Sequence, residues 1–265
     1  MNHWHNEVEA IVLYATFSNP PRNFLTFAVL AELGEIIQRS NADELINVIV
    51  LRSAADGYFA AHADLDDLMN LATTPVPEAR SWYTTLRAID SSALPVVAAV
   101  DGQAWGGGLE LLLCCTICIA SPRASFSFPE TALGIIPGAG GTQRAPRRIG
   151  PGRVADLILT GRVIDASEAL RIGLIDLVID SDFDTAVREY AASIARKPRA
   201  ATVAAKQSID DARTQPLLDG LRAEGARFSA LLASEASGRR LRAALDRYRN
   251  AGQSDPVFLE DLQAT

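Results

Sequence analysis

Hydrophobic positions along the chain fall into two periods. Val8 to Phe17 is rich in aliphatic and aromatic residues and stops at Ser18-Asn19-Pro20-Pro21, which predicts one strand closed by a turn. Thr26 then precedes Val29, Leu30, Leu33, Ile36 and Ile37, apolar residues spaced three and four apart, which predicts a capped helix. Ile46 to Leu51 is a near-continuous β-branched run, the pattern of a strand buried on both faces. A second helix is predicted over Glu78 to Ile89, with Trp82, Leu86 and Ile89 on its core face, and Pro95 introduces a strand over Val96 to Val100. Strands alternating with helices predict right-handed crossovers and a largely parallel sheet. After about residue 190 the strand signals stop. Charged helical patterns, punctuated by Pro198 and Pro216, continue to Asn250 and predict a helical C-terminal section. No internal repeat or low-complexity segment interrupts this order.

Composition narrows the class. The 265 residues, 48 % of them hydrophobic and 22 % charged, suit one large globular domain with or without an appended piece. A formal net charge of −7 argues against a general nucleic-acid binder. Of the 25 basic residues only Lys197 and Lys206 are lysines; the others are arginines, with their planar fork for phosphate. The three cysteines, Cys114, Cys115 and Cys118, sit in one apolar run with no zinc spacing, and are read as reduced core residues. The N-terminal segment lacks a basic stretch followed by an apolar one, and no apolar run reaches the roughly 18 residues of a membrane span. The expectation is a soluble cytoplasmic protein with no membrane or nucleic-acid partner and no metal.

Two glycine-dense segments carry candidate chemistry. In Asp101-Gly102-Gln103-Ala104-Trp105-Gly106-Gly107-Gly108-Leu109-Glu110, a triple glycine lies between a strand and the helical run Leu109 to Cys115. Such a turn exposes backbone N–H groups at a helix N-terminus, where they attract an anion or a developing oxyanion. The second segment runs from Phe128-Pro129-Glu130 through Gly134, Pro137 and Gly138 to Gly140-Gly141-Thr142, and opens a helix over Thr142 to Ile149. Each signal alone is ordinary: a triple glycine is a common packing device, and a first-turn glutamate commonly serves the helix dipole. Together they place two glutamates twenty residues apart, each tied to its own glycine-rich turn.

At this spacing the chain resembles the crotonase, or enoyl-CoA hydratase/isomerase, family, which carries GGG-x-E followed by PE-x-x-x-G-x-x-P-G-x-GG-T-x-R. The resemblance extends to Phe59-Ala60-Ala61-His62-Ala63-Asp64-Leu65, similar to the family's F-S-A-G-A-D-L/I loop. It continues in Leu159-Thr160-Gly161-Arg162 and in Ala166-Ser167-Glu168-Ala169-Leu170-Arg171-Ile172-Gly173-Leu174-Ile175. It implies an α/β fold, a crotonase-like spiral of ββα units, with a catalytic core over 1–195 and a helical trimerisation section over 196–265. It implies that the N–H groups of Ala63 and Gly107 form an oxyanion hole for a thioester carbonyl, and that Glu110 and Glu130 are the two catalytic glutamates. Ala61, His62, Asp64, Leu65, Trp105, Gly106 and Arg247 would bind the acyl-CoA substrate. No separate cofactor is implied, since coenzyme A is part of the substrate. A homotrimer or homohexamer is the expected assembly.

The chain departs from the pattern at His62, where the family usually has glycine; its imidazole would contact the substrate beside the carbonyl or turn away. Asp64 is read as the cap of a helix containing Leu65, Leu68 and Met69. Trp105 would pack on the acyl chain or in the core. Arg247, in the basic stretch from Arg239 to Arg249, would reach CoA phosphates or lie on a solvated helix face. Ala236 stands where an acid is common, and the Pro20 to Leu25 turn, with Arg22, is shorter than usual. The leading expectation is a 2-enoyl-CoA hydratase of fatty acid metabolism. The rivals are a 3,2-enoyl-CoA isomerase, which needs the same oxyanion hole but one proton shuttle, and a non-catalytic acyl-CoA or RNA-binding module on the same fold.

Overall fold

The chain opens with a hairpin, not the single strand expected over Val8 to Phe17. Strands β1 (Trp4–Glu9) and β2 (Val12–Phe17) pair antiparallel with Glu9 opposite Val12, so Ala10 and Ile11 form a two-residue loop. Such loops need positive φ at the first central residue. Ala10 supplies it with φ 53°. An alanine there gives none of the Asn or Gly signal by which a hairpin is read. The computed structural model describes residues 3–251, 256–259 and 262.

Three passes of the chain then repeat one pattern. The connecting helix α1 (Phe27–Ala42) comes first, capped by Thr26, whose hydroxyl accepts from the Val29 N–H, and it buries Val29, Leu30, Leu33, Ile36 and Ile37 as their spacing predicts. The first pass is β3 (Val48–Ser53), β4 (Gly57–Ala60) and α2 (Leu65–Thr73), with α3 (Arg80–Asp90) following. The second is β5 (Val96–Val100), β6 (Gly102–Trp105) and α4 (Gly107–Leu112). The third is β7 (Ile117–Ala120), β8 (Ser125–Ser127) and α5 (Gly141–Ile149), continued by α6 (Pro151–Thr160), β9 (Ile164–Asp165), α7 (Ala166–Ile172) and β10 (Leu177–Val178). Each pass lays one strand in a six-stranded sheet of order β1-β2-β3-β5-β7-β10 and the next in a four-stranded sheet of order β4-β6-β8-β9. Among the described residues only β1–β2 and β8–β9 pair antiparallel. This is the expected spiral of ββα units around parallel sheets.

The middle strands of the larger sheet, β2, β3, β5 and β7, are covered on both faces, which is why they read as largely apolar runs. Val12, Tyr14, Val48, Val50, Val97, Ala99 and Ile119 face Val187, Ala191 and Ala195 of α8 (Phe183–Ala195). The alternate residues Leu13, Ile49, Leu51 and Ala98 point the other way and are also buried. Each full burial of such a side chain is worth about 1.5–3 kcal/mol. Cys114, Cys115 and Cys118 are buried and form no disulfide among the described residues.

The structure divides into two compact units, Met1–Thr202 and Val203–Thr265. The helix α9 (Arg199–Thr214) runs across the boundary. In the second unit it is followed by α10 (Leu217–Leu232) and α11 (Glu235–Asn250). Arg227 of α10 ties back to Asp211 at 2.6 Å. Among the described residues, no helix is long and apolar enough to cross a membrane.

The parallel register of the smaller sheet positions the site. Ala60 pairs with Ala104 and Trp105 with Ser127, so β4, β6 and β8 end at the same edge. They deliver three segments there: 61–65, 106–110 and 128–130. Ligand crevices in open α/β sheets lie outside such carboxyl ends.

Candidate active site

The first segment turns an N–H outward. The Leu25 N–H donates to the His62 carbonyl and the Leu25 carbonyl accepts from the Asp64 N–H, both at 2.9 Å. Leu25 thus grips one edge of Ala63, and the Ala63 N–H points to the opposite edge. The second segment supplies the Gly107 N–H, at the first residue of α4, where helical N–H groups have no intrahelical acceptor. Neither the Ala63 nor the Gly107 N–H has a protein acceptor among the described residues. A Cβ placed on Gly107 would lie 3.3 Å from the Ala63 nitrogen, so the two donors are neighbours. The turn can approach so closely because its next residue is also glycine: a Cβ on Gly108 would collide with the Ala60 carbonyl.

The same Cβ on Gly107 would strike the Trp82 ring. Trp82 is half-buried and not a core residue, contrary to its helical spacing with Leu86 and Ile89. That spacing cannot separate a site-lining aromatic from a core one, because both occupy the inner face of α3.

Glu110 projects from the first turn of α4 and is 3 % exposed. Its Oε1 accepts from the Ala139 N–H at 2.8 Å and from the Gly141 N–H at 2.7 Å. Burial raises its pKa most and the Glu130 charge adds to this, while the two N–H donors and the Arg144 cation pull it down; the balance is about 7. Glu130 begins a short 3-10 turn, Glu130–Leu133, after Pro129, and is 8 % exposed. Its Oε2 is buried without a protein partner, and burial raises its pKa as well. Leaving such an oxygen unpaired costs about 1–3 kcal/mol, so it needs an explanation beyond folding. A Cβ at Gly106 would lie 2.9 Å from Glu130 Oε1 and 3.4 Å from the His62 Cβ, which places all three residues together.

The structure therefore brings Ala63, Gly106, Gly107, Glu110, Glu130 and His62 to one place, and adds Trp82. It also adds the backbone of Ala139 and Gly141, whose signal was the glycine-rich run but whose target, Glu110, no local pattern reveals. His62 keeps negative φ, since among the described residues only Ala10 and Asn23 are non-glycines with positive φ. Its ring packs against Phe24 in a tilted contact, 4.7 Å between centroids with the planes 38° apart, and its Nδ1 lies 2.7 Å from the Ala63 carbonyl. Because a carbonyl only accepts, Nδ1 carries the proton in that contact. Ala61 is buried, and Asp64 caps α2 by accepting from the Asp67 N–H at 3.1 Å. Leu65 is exposed on α2, a helix with no buried residue. Trp105 is half-buried and its indole N–H donates to Ser125 across the sheet at 3.1 Å. Arg22 is exposed. Arg247 belongs to the second unit, where its Nη1 donates to the Phe258 carbonyl at 3.0 Å. Among the described residues no cluster of three His, Cys, Asp or Glu side chains could hold a metal ion.

Two N–H donors without a protein acceptor among the described residues thus meet a pair of buried carboxyls at the strand ends of this fold. A family model for enoyl-CoA hydratase/isomerase matches residues 7–253, and the chain belongs to that family. It is 39 % identical over 182 residues to a crotonyl-CoA hydratase of Syntrophomonas wolfei, covering 66 % of this chain and 68 % of that one. It is 34 % identical over 243 residues to the mitochondrial methylglutaconyl-CoA hydratase of Mus musculus, covering 89 % and 77 %. The crystal structure of an enoyl-CoA hydratase from Bacillus anthracis superposes with TM-score 0.85 at 33 % identity, covering 92 % of this chain and 96 % of that one.

Proposed function

We propose that the protein is a 2-enoyl-CoA hydratase, adding water across the C2–C3 double bond of an acyl-CoA thioester. One observation carries the reading: two buried carboxyls, both with raised proton affinity, share a site with the paired N–H groups of Ala63 and Gly107. Those N–H groups would accept charge on the thioester oxygen, making C3 electrophilic and leaving enolate character at C2. Ionised Glu110 takes a proton from water as its oxygen bonds to C3. Protonated Glu130, whose Oε2 has no protein partner, delivers a proton to C2. The product is the 3-hydroxyacyl thioester, and one proton passing from Glu110 to Glu130 resets the pair. An isomerase needs one shuttling carboxyl, so burying a second would serve no purpose there.

The same proposal gives the protein an acyl-CoA as its partner, with Leu65, Trp105 and His62 near the acyl group and Arg247 toward the CoA phosphates. It has no separate cofactor, and it works as a homotrimer or homohexamer in the cytoplasm. The test is the ultraviolet band of the conjugated enoyl thioester when purified protein meets crotonyl-CoA. Hydration abolishes the band. Binding without turnover preserves it, and activity confined to 3-enoyl-CoA substrates, which creates the band, would replace the proposal with isomerisation.

A further inference from the structure

We infer that Arg144 is a positioning residue for Glu110, its guanidinium holding the 139–141 turn in the shape that clamps the carboxylate. The inference takes the catalytic role of Glu110 from the hydratase reading and adds a residue that does not itself reach the reacting atoms.

Arg144 lies in the first turn of α5, with its side chain 19 % exposed. Its Nη1 donates to the Ala139 carbonyl at 3.0 Å, while the N–H of the same Ala139 donates to Glu110 Oε1 at 2.8 Å. One residue is therefore held from both sides, by the cation and by the carboxylate. The next residue, Gly140, has φ 110°, and a Cβ there would strike the guanidinium. The turn is wrapped on the Arg144 side chain, and Gly141 follows with the second N–H to Glu110 at 2.7 Å. Removing the guanidinium removes the object around which both donors are arranged.

The anchor for Arg144 comes from another element. The Asp90 carboxylate, at the end of α3, lies 3.5 Å from Arg144 Nε. That Nε makes no hydrogen bond, so the contact is an ion pair that fixes the charge without satisfying the donor. The groups facing Glu110 are Glu130, which opposes its ionisation, and Arg144, which favours it. Those facing Arg144 also include Asp90 and the buried Cys114, whose thiol burial keeps neutral. Arg144 is thus a cation that offsets Glu130 at Glu110, and it acts through geometry and charge together. Without it Glu110 loses aligned N–H donors and a counter-charge, and both losses favour the protonated form that cannot serve as a base.

The pH dependence of hydration reads this directly, in wild type, Arg144→Met and Arg144→Lys, each also built on Glu110→Gln. A misplacement of about 1 Å in a reacting group can cost about 10². Arg144→Met is expected to lower kcat by about 10–10² near neutral pH and to move the acid limb of kcat upward. Arg144→Lys, which keeps the charge but not the fork, is expected to lower kcat with the limb near that of wild type. On Glu110→Gln neither substitution should slow turnover further, since groups acting through one another are not additive. A folded Arg144→Met with the wild-type kcat and limb overturns the inference. So does an equal fold-loss on the wild-type and Glu110→Gln backgrounds, which marks a structural role. Should Arg144→Met not fold, the Lys pair decides by the same comparison. If wild type hydrates no enoyl-CoA, the hydratase reading fails by itself. A carbon-13 titration of the Glu110 carboxyl in wild type and Arg144→Met then still tests positioning: identical titrations overturn it.

Discussion

Glu110 and Gly141 are joined by a 2.7 Å hydrogen bond from the glycine N–H to Oε1, across 31 residues of sequence. This bond ties together the two glycine-rich turns, one entering α4 and the other α5. With the Ala139 N–H it commits one oxygen of Glu110, Oε1, to two backbone donors.

Glu110→Gln and Glu130→Gln are each expected to cut hydration by at least about 10², since a positioned acid or base contributes roughly 10²–10⁴. Glutamine keeps size and the capacity to accept from Ala139 and Gly141 but shuttles no proton. The double variant should be little slower than the slower single one, because the pair acts on one water and one C2 proton. Steady-state rates of the four proteins, with circular dichroism to confirm folding, check both statements. A single variant as fast as wild type removes that glutamate from the mechanism.

Glu110 also couples stability to pH. Its pKa rises from an ordinary 4.5 to about 7 on folding. Between those values the native protein binds more protons than the unfolded chain, so stability falls as pH rises through this window. The burial penalty is absent below about pH 4.5 and complete above about pH 7. Each unit is worth about 1.4 kcal/mol, so Glu110→Gln should be more stable than wild type at pH 8 by up to about 3 kcal/mol. Denaturant titrations at pH 5 and pH 8 read it: the gain should shrink toward the lower pH. An equal or negative difference at both would mean that Glu110 is not strained by burial.

Much of this was legible in advance, and the failures have physical causes. Val96–Val100 is a strand as its sequence predicts, because five consecutive apolar residues between Pro95 and Asp101 suit only a doubly covered strand. Gly57–Ala60 and Gly102–Trp105 escaped notice as strands because each is four residues long and begins with glycine. Glu110 and Glu130 stand out in the sequence through their spacing and family likeness, and the structure buries both carboxyls side by side. The clamp on Glu110 was not, since Ala139 and Gly141 act through backbone N–H groups that any residue possesses. Trp82 was misplaced for the opposite reason: its side chain carries a strong signal with two meanings.

His62 should matter through geometry. Its Nδ1–H bond to the Ala63 carbonyl and its tilted contact with Phe24 hold Ala63, the residue proposed to supply an oxyanion donor. A neutral hydrogen bond contributes about 0.5–1.5 kcal/mol net. His62→Ala is therefore expected to lower kcat by up to about tenfold with little change in KM. A change confined to KM would show instead that the ring contacts substrate.

The N–H of Gly107 is the hardest group to test, since no side chain can be deleted, and Trp82 makes the test possible. Any side chain at position 107 strikes the Trp82 ring, so Gly107→Ala in the native background reports collision alone. Trp82→Ala opens room for it. In that background Gly107→Ala keeps the N–H and Gly107→Pro lacks it, while proline at the first position of a helix is otherwise well tolerated. The ratio of the two isolates the donor. Loss of one oxyanion-hole donor typically costs about 10²–10³ in turnover, and we expect Gly107→Pro to fall below Gly107→Ala by that factor. Binding of a saturated acyl-CoA should differ little between them, because a ground-state carbonyl carries less charge than the enolate oxygen. Equal turnover in two folded proteins would remove Gly107 from the oxyanion hole and leave the Ala63 N–H to act alone.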